Sequence, residues 1–246
     1  MDRKLCDDNG HKLRRTQTGG GVALLLATIL CCYGPQQLFG ANKASDRIKD
    51  ATEVFSEAMQ APDNGVPQDL LDKAHCVVII PGLTKLAFVG GGQYGKGFAM
   101  CRSRSANGWS APAAVRIEGG SVGFQIGASS TDLILLVMNK RGMERLLSSR
   151  FTLGAEATVA AGPVGRHVSA ETDAQMGAEI LSWARSRGAF AGVSLGGATL
   201  RPDDDDNRAI YHRELTNREI LTGDVKPPHA AKTLLGMLEH YSPREL

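Results

Sequence analysis

Short apolar segments separated by glycines, between residues 75 and 200, limit the fold of this chain more than any other feature. HCVVII at 75–80 and TDLILLVM at 131–138 are continuous apolar runs of strand length. Six further segments are strand-like: 85–90, 94–102, 109–119, 121–127, 152–161 and 188–200. The 29 glycines of the chain are typical of turns and closely approaching strands rather than of long helices. We expect residues 131–138 to be buried on both faces, and a turn at Pro81 and Gly82.

Helical patterns lie mainly on either side of this region. Residues 45–60 place Ile48, Ala51, Val54, Phe55, Ala58 and Met59 on one helical face. Shorter helices are predicted at 67–74, 141–149, 218–221 and 229–241, and an acidic loop at 202–207. The segment 178–186 is compatible with either a helix or a strand. The order of elements predicts one α+β domain, with a mainly β core of antiparallel strands and short peripheral helices.

The N-terminus has the composition of a targeting segment. A basic stretch that ends at Arg14 and Arg15 precedes the apolar run GVALLLATILCCYG at residues 21–34. This run is short for a membrane span and has about the length of the apolar region of a signal peptide. Gly40 and Ala41 offer a cleavage point; an uncleaved anchor or a wrongly assigned start codon is the alternative. We expect residues 1–41 to be a signal segment and the protein to be exported, periplasmic or membrane-associated.

Two cysteines, Cys76 and Cys101, lie beyond this leader, both in strand-like segments. Buried free thiols are the first expectation. A single disulfide is the alternative if the protein is exported. The chain has no C-x-x-C pattern, so zinc and redox motifs of that type are absent from the sequence.

The glycine cluster at residues 88–97 raises the question of a nucleotide site. Gly90, Gly92 and Gly95 match G-x-G-x-x-G, and Gly90, Gly95 and Lys96 match most of a P-loop. Both motifs need a helix directly after the glycines, because its N-terminus holds the phosphate. No helical pattern follows here, and Gly97 replaces the Ser or Thr of a P-loop. We therefore expect no nucleotide, and glycines that let strands approach closely.

Composition also argues against nucleic acid as a partner. Without residues 1–40 the chain has 23 basic and 23 acidic residues, whereas nucleic-acid-binding domains usually have a clear basic excess. The acidic run at 203–206 lacks the glycine and the closing Glu of a calcium loop. His75 and His167 have no partner at metal-ligand spacing. We expect no metal and no cofactor.

A serine hydrolase is one alternative function. Ser121 and Ser194 both lie in G-x-S-x-G, with Asp203 and His212 available as further triad members. The motif requires a strand, a sharp turn and then a helix, and both serines lie in strand-like sequence. Packing of the serines in a glycine-rich sheet is the favoured interpretation, and we expect no enzymatic activity.

An ordered set of motifs resembles the SYLF domain, a lipid-binding module of bacteria and eukaryotes. The motifs lie at residues 91–97, 109–112, 119–127, 131–139, 162–166 and 188–196. The resemblance covers about residues 45–224; we assign 42–224 to a SYLF-like lipid-binding domain and 225–246 to a C-terminal helical tail. It implies a non-enzymatic protein that binds anionic phospholipid. Eukaryotic members bind phosphoinositides, partly through an N-terminal amphipathic helix, and some engage actin.

This resemblance directs attention to the helix at 45–60. An interfacial helix combines an apolar face with basic residues, and the candidate lipid contacts are Lys43, Arg47, Lys49 and Phe55, with Lys85 and Lys96 beside the glycine cluster. Four acids, Asp46, Asp50, Glu53 and Glu57, offset the bases. The alternative is that the helix packs its apolar face on its own domain. A third function is an envelope scaffold whose protein partner is unknown.

Overall fold

A single sheet of nine strands runs through the centre of the part of the chain that the structure describes. The structure is a computed structural model, and it describes residues 36–61, 65–87, 91–103, 108–121, 127–164, 177–186, 188–193 and 195–243. The expected leader therefore lies almost entirely outside the described residues. From Leu38 onward the chain forms one compact unit, which confirms the prediction of a single domain.

The elements follow the predicted order. The strands are β1 (Cys76–Ala87), β2 (Gly91–Cys101), β3 (Ala113–Ser121), β4 (Gly127–Val137), β5 (Phe151–Thr152), β6 (Val159–Ala161), β7 (Ile180–Ser186), β8 (Ala189–Gly192) and β9 (Ala198–Pro202). The helices are α1 (Gln36–Gln60), α2 (Gln68–Lys73), α3 (Lys140–Leu146), α4 (Asp204–Tyr211), α5 (Asn217–Thr222), a 3-10 turn (His229–Ala231) and α6 (Lys232–Tyr241). The ambiguous segment 178–186 is thus a strand.

The sheet has the order β5-β9-β3-β2-β1-β4-β7-β6, and β8 also pairs with β7. Every pairing between these named strands is antiparallel except that of β6 with β7. β1 lies at the centre between β2 and β4. This arrangement confirms the predicted α+β fold with a mainly antiparallel β core.

Each face of the sheet contributes to a buried core. Val77 and Ile79 point to a core shared with α1, α2 and α6, whereas Val78 and Ile80 point to a core shared with α3 and α5. This division follows from the two-residue period of a strand. Residues 133–137 of β4 are all buried, as expected for a strand covered on both sides.

The helix α1 is longer than predicted, since it begins at Gln36 rather than near residue 45. Its buried side chains recur every three or four residues, at Ala44, Ile48, Ala51, Val54, Phe55 and Ala58. The Phe55 ring contacts Tyr241 of α6 at a centroid distance of 6.2 Å. Among the described helices, none has the length and apolarity needed to cross a bilayer.

The turn predicted at Pro81 and Gly82 is wrong, because both residues lie inside the continuous strand β1. They form a β-bulge: Ile80 pairs with Leu133 and Leu83 pairs with Thr131, so two residues of β1 face one of β4. Gly82 has a φ of +64°, which suits glycine. Its N–H donates to Oδ1 of Asp132 at 2.9 Å, which satisfies a backbone donor that the bulge removes from the ladder.

The acidic loop predicted at 202–207 is also wrong, because α4 begins at Asp204. Asp203 caps this helix by accepting a hydrogen bond from the N–H of Asp206. Three acids in the first turn are favourable at the positive end of the helix dipole. The strand predicted at 152–161 is interrupted by a turn at 154–156.

Cys76 and Cys101 form a disulfide across β1 and β2, with a Cα–Cα distance of 3.9 Å. The expectation of free thiols is therefore wrong. The two cysteines are directly opposite in the register of the two strands. Sequence alone does not reveal this pairing, because it depends on which strands are neighbours.

We predict that reduction of this disulfide lowers the free energy of unfolding by about 3 kcal/mol, because it releases a loop with a sequence separation of 25 residues. Urea unfolding of the full chain with and without reductant measures the difference. A variant with Cys76→Ala and Cys101→Ala controls for the other cysteines. An equal response of this variant to reductant would contradict the prediction.

A second prediction concerns Gly97 in β2, where a Cβ would lie 2.0 Å from the carbonyl oxygen of Ile79. We expect Gly97→Ala to destabilise the fold by about 3 kcal/mol or more, because backbone atoms of β1 must move. Gly236 in α6 is the control, since a Cβ there meets nothing within 4 Å. Gly236→Ala should stabilise the helix by about 1 kcal/mol. Equal urea midpoints for the two variants would refute the steric argument.

Candidate functional site

A line of charged side chains crosses the α1 side of the sheet, and we call it the charged rung: Arg185, Asp132, Lys96, Arg116 and Arg201. Arg185 of β7 pairs with Asp132 of β4. Lys96 of β2 pairs with Arg116 of β3, which pairs in turn with Arg201 of β9. The bulge of β1 lies between the two groups. The rung is next to the buried apolar residues Ile134 and Phe98 on the same face.

The adjacent row on the same face is more open, and we call it the outer row: Ser130, Thr84, Tyr94, Glu118 and Thr199. Ser130 and Thr84 are exposed, and Glu118 and Thr199 are partly buried. Tyr94 has 48% of its surface exposed. The face thus changes from apolar to charged to exposed polar along the strands.

The helix α1 lies across the strands, beside the charged rung. Arg47 pairs with Asp206, which also pairs with Lys96 of β2, and Glu57 pairs with Arg185 of β7. Glu57 lies ten positions after Arg47, a rise of about 15 Å along the helix. Three strand spacings separate β2 from β7, which is about 14 Å. A helix that runs across the strands can therefore make both contacts.

Two acids at the start of α4 neutralise part of the rung. Nζ of Lys96 lies 2.6 Å from Oδ2 of Asp203 and 3.3 Å from Oδ1 of Asp206. The side chain of Asp203 is fully buried. Burial of Lys96 opposes its charged form, but the hydrogen bond to Asp203 and the charges of both acids outweigh it and raise the Lys96 pKa above 10.5. The stability contributed by the raised pKa is therefore present below pH 10.5 and lost as the pH rises through the folded value.

At the other end of the rung, Arg185 donates from Nε to Asp132 at 2.8 Å. A cleft of about 300 Å³ lies between α1 and the bulge, and its lining includes Arg47, Arg185, Asp50, Glu53 and Asp132. Both signs of charge line this cleft. Among the described residues, no three acidic, histidine or cysteine side chains are placed to hold a metal ion.

Arg116 differs from the other charged residues of the rung. Arg201 is paired with Glu118 at 2.7 Å, whereas the structure gives Arg116 no ion-pair or hydrogen-bond partner among the described residues. Its Nε atom is buried from water and makes no hydrogen bond. The middle one of three adjacent cations therefore has no partner within the described ranges.

The structure places the candidate lipid contacts that were predicted from the sequence in different environments. Arg47 and Lys96 meet at Asp206. Lys43 and Lys49 are exposed on α1, where Lys49 pairs with Asp46 at 2.8 Å. The structure places Phe55 in the core with 1% exposed. Lys85 alternates with Thr84 and so belongs to the opposite face of β1 from the charged rung. Lipid contact by these residues stays a prediction.

Arg116 and Arg201 were not identified from the sequence. The available signal was a charged residue in alternation with buried ones, as in Val115, Arg116 and Ile117. That alternation indicates a strand face but not which strands are neighbours. The register of β2, β3 and β9 places Lys96, Arg116 and Arg201 side by side.

The two serine motifs have no elbow geometry in the described residues. Ser121 ends β3, and the next described element is the strand β4 rather than a helix. Ser194 and the side chain of Ser121 lie outside what the structure describes. The glycines at residues 91–97 lie within β2, and the next element that the structure describes is the strand β3.

We predict that Lys96→Met lowers the free energy of unfolding by about 3 kcal/mol, because the buried carboxylate of Asp203 loses its cation. Lys49→Met is the matched control. Its partner Asp46 is exposed, so the change should stay below about 0.5 kcal/mol. Urea unfolding at neutral pH measures both. Similar values for the two variants would show that the Lys96 pair is not required for stability.

Comparison with known proteins identifies a family and several relatives that are similar to this chain. The sequence model of the Ysc84 family, described as Las17-binding protein actin regulator, matches residues 118–241. The SH3 domain-containing YSC84-like protein 1 of Rattus norvegicus is 32% identical over 203 residues, which cover 82% of this chain and 58% of that protein. The protein of the same name from Homo sapiens gives the same values.

A yeast relative extends the comparison. LAS seventeen-binding protein 3 of Saccharomyces cerevisiae is 30% identical over 208 residues, which cover 83% of this chain and 45% of that protein. This chain thus spans roughly half the length of the relatives that it matches. The family match covers half of the chain and ends at α6. The chain belongs to the Ysc84 family, the SYLF-domain family that its ordered motifs predict.

Proposed function

We propose that this domain binds anionic phospholipid membranes and catalyses no reaction. The observation that carries the proposal is Tyr94, which is 48% exposed in the outer row, beside the charged rung. An exposed tyrosine next to cationic side chains has the chemistry of a membrane interface. Its ring suits the boundary between headgroups and acyl chains, while cations are attracted to an anionic surface by about 1 kcal/mol each.

Energetics favour this face over release of α1. Ile48, Val54 and Phe55 are buried in the core, and exposing them costs about 1.5–3 kcal/mol for each side chain. Lys43 and Lys49 would return about 1 kcal/mol each at an anionic surface, and the acids of α1 oppose even that gain. Because α1 is more stable packed on the domain, we favour the exposed sheet face as the membrane contact.

Two further observations bear on function and location. The family description and the yeast relative's name concern Las17 binding and actin regulation, not an enzymatic activity. These names support a non-catalytic domain, and they make a protein partner the second candidate function.

The buried Cys76–Cys101 disulfide supports an oxidising compartment. We accordingly propose that the protein is exported.

We predict that the full chain co-sediments with vesicles that contain phosphatidylglycerol but not with pure phosphatidylcholine, and that binding weakens as ionic strength rises. Tyr94→Ser should weaken binding about fivefold, equivalent to roughly 1 kcal/mol. Val164→Ser is the matched control, because Val164 has a similar exposure of 45% and lies beyond β6 at the far edge of the sheet.

The outcomes separate the competing sites. Loss of binding on charge reversal of Lys43 and Lys49, with Tyr94→Ser unaffected, would transfer the contact to α1. Absence of pelleting by the folded protein on every vesicle would refute the membrane proposal and favour a protein partner.

A further inference from the structure

We infer that Arg116 binds a phosphate group, held between Lys96 and Arg201 on the neighbouring strands. The inference rests on the proposed membrane function where it names lipid phosphate as the source. The chemistry of the site is the same for a soluble phosphate ester. The experiment below therefore treats the two sources separately.

The three cations are brought together by strand register. Lys96 and Arg201 are the direct cross-strand neighbours of Arg116 on either side. Directly opposite side chains stand about 5 Å apart and interact, and like charges in this position repel. A sheet that served stability alone would alternate the signs here, as Asp132 and Arg185 do on the same rung.

Local carboxylates balance the neighbours of Arg116 but not Arg116 itself. Asp203 and Asp206 both form ion pairs with Lys96. Asp206 also forms an ion pair with Arg47. Glu118 forms an ion pair with Arg201. Four cations are thus balanced by three carboxylates, and the surplus positive charge falls on the one guanidinium that has no described partner.

The buried Nε of Arg116 also supports a bound anion, because this donor lacks a hydrogen-bond partner among the described residues. Buried polar groups in proteins nearly always have a partner. This donor is shielded from water and unsatisfied, and so is Nε of Arg201. An arginine that repels its neighbours and leaves a donor unsatisfied destabilises the free protein, which is characteristic of residues retained for binding.

Phosphate is the anion that fits this arrangement. A guanidinium presents its N–H groups as a planar fork that matches two phosphate oxygens. A tetrahedral phosphate has further oxygens for the cation on the next strand, whereas a planar carboxylate uses both oxygens on one fork. One surplus charge matches one phosphodiester anion. The exposed Tyr94, in the adjacent row, would then lie near the organic part of the ligand.

The test combines a soluble probe and a membrane probe on the full chain. Inorganic phosphate and glycerol 3-phosphate are titrated while the Nε–H resonance of Arg116 is followed in a proton–nitrogen correlation spectrum. Acetate at matched ionic strength controls for general anion effects. The membrane arm measures pelleting with phosphatidylglycerol vesicles for the native chain, Arg116→Gln and Arg116→Lys.

We expect a saturable shift of the Arg116 resonance with both phosphates and none with acetate. Arg116→Gln should bind vesicles about tenfold more weakly, since it loses both the charge and the fork. Arg116→Lys should recover only part of this loss, because it restores the charge alone. Arg141→Gln is the control. It removes an arginine from α3, which packs on the opposite face of the sheet, and should bind like the native chain.

Stability gives an independent readout. Arg116→Gln should unfold at the same urea concentration as the native chain or at a higher one, because it removes repulsion between neighbouring cations. A lower midpoint would assign Arg116 a structural role and overturn the inference.

The remaining outcomes separate the two proposals. If vesicles bind the native chain and Arg116→Gln equally, the phosphate site is overturned and the membrane function stands. If phosphate shifts the resonance saturably but no vesicle binds, the membrane function is overturned and the site is supported with a soluble phosphate ester as its ligand. An equal shift with acetate would overturn the phosphate site.

Discussion

The crossing of α1 over the strands is the constraint on which the rest of this domain depends. Its apolar face covers the rungs that contain Ile79, Phe98 and Ile134, which pack with Ile48 and Phe55. A helix with its side chains is only about 10 Å wide, whereas the eleven-residue strands β2 and β4 extend about 36 Å. One transverse helix cannot cover the whole face. The charged rung marks the edge of its cover, and the outer row lies beyond it.

Ion pairs at that edge hold the helix in place, and α4 supplies part of them. Asp203 caps α4 and faces Lys96, so the same carboxylate serves both a helix terminus and the sheet. Asp206 joins Lys96 to Arg47 of α1. Because the carboxylates lie on a rigid helix, little conformational entropy is lost in keeping the cations paired. The arrangement leaves Arg116 as the cation of the rung that has no ion-pair partner in the part of the chain that the structure describes.

Much of this fold follows from periodicity, and much of the site does not. The continuous apolar run in β4 and the three-to-four-residue spacing in α1 predict which of their side chains are buried, because each pattern needs only its own segment. The run Asp203–Asp206 favours the wrong prediction because four acids are typical of a solvated loop, although they also suit the cap and first turn of a helix. The Cys76–Cys101 pair and the Lys96–Arg116–Arg201 ladder depend on strand partners. Nothing local in the sequence specifies those partners.

The bulge at Pro81 and Gly82 gives β1 two phases of alternation rather than one. Ile80 and Leu83 face the same core although they lie three positions apart. If the same residues followed strict alternation without the bulge, everything after it would exchange faces. Leu83 would then point to the charged side and Thr84 to the interior. A sequence alignment that treats this strand as uninterrupted will assign its second half to the wrong side of the sheet, so the bulge must be aligned as a register change.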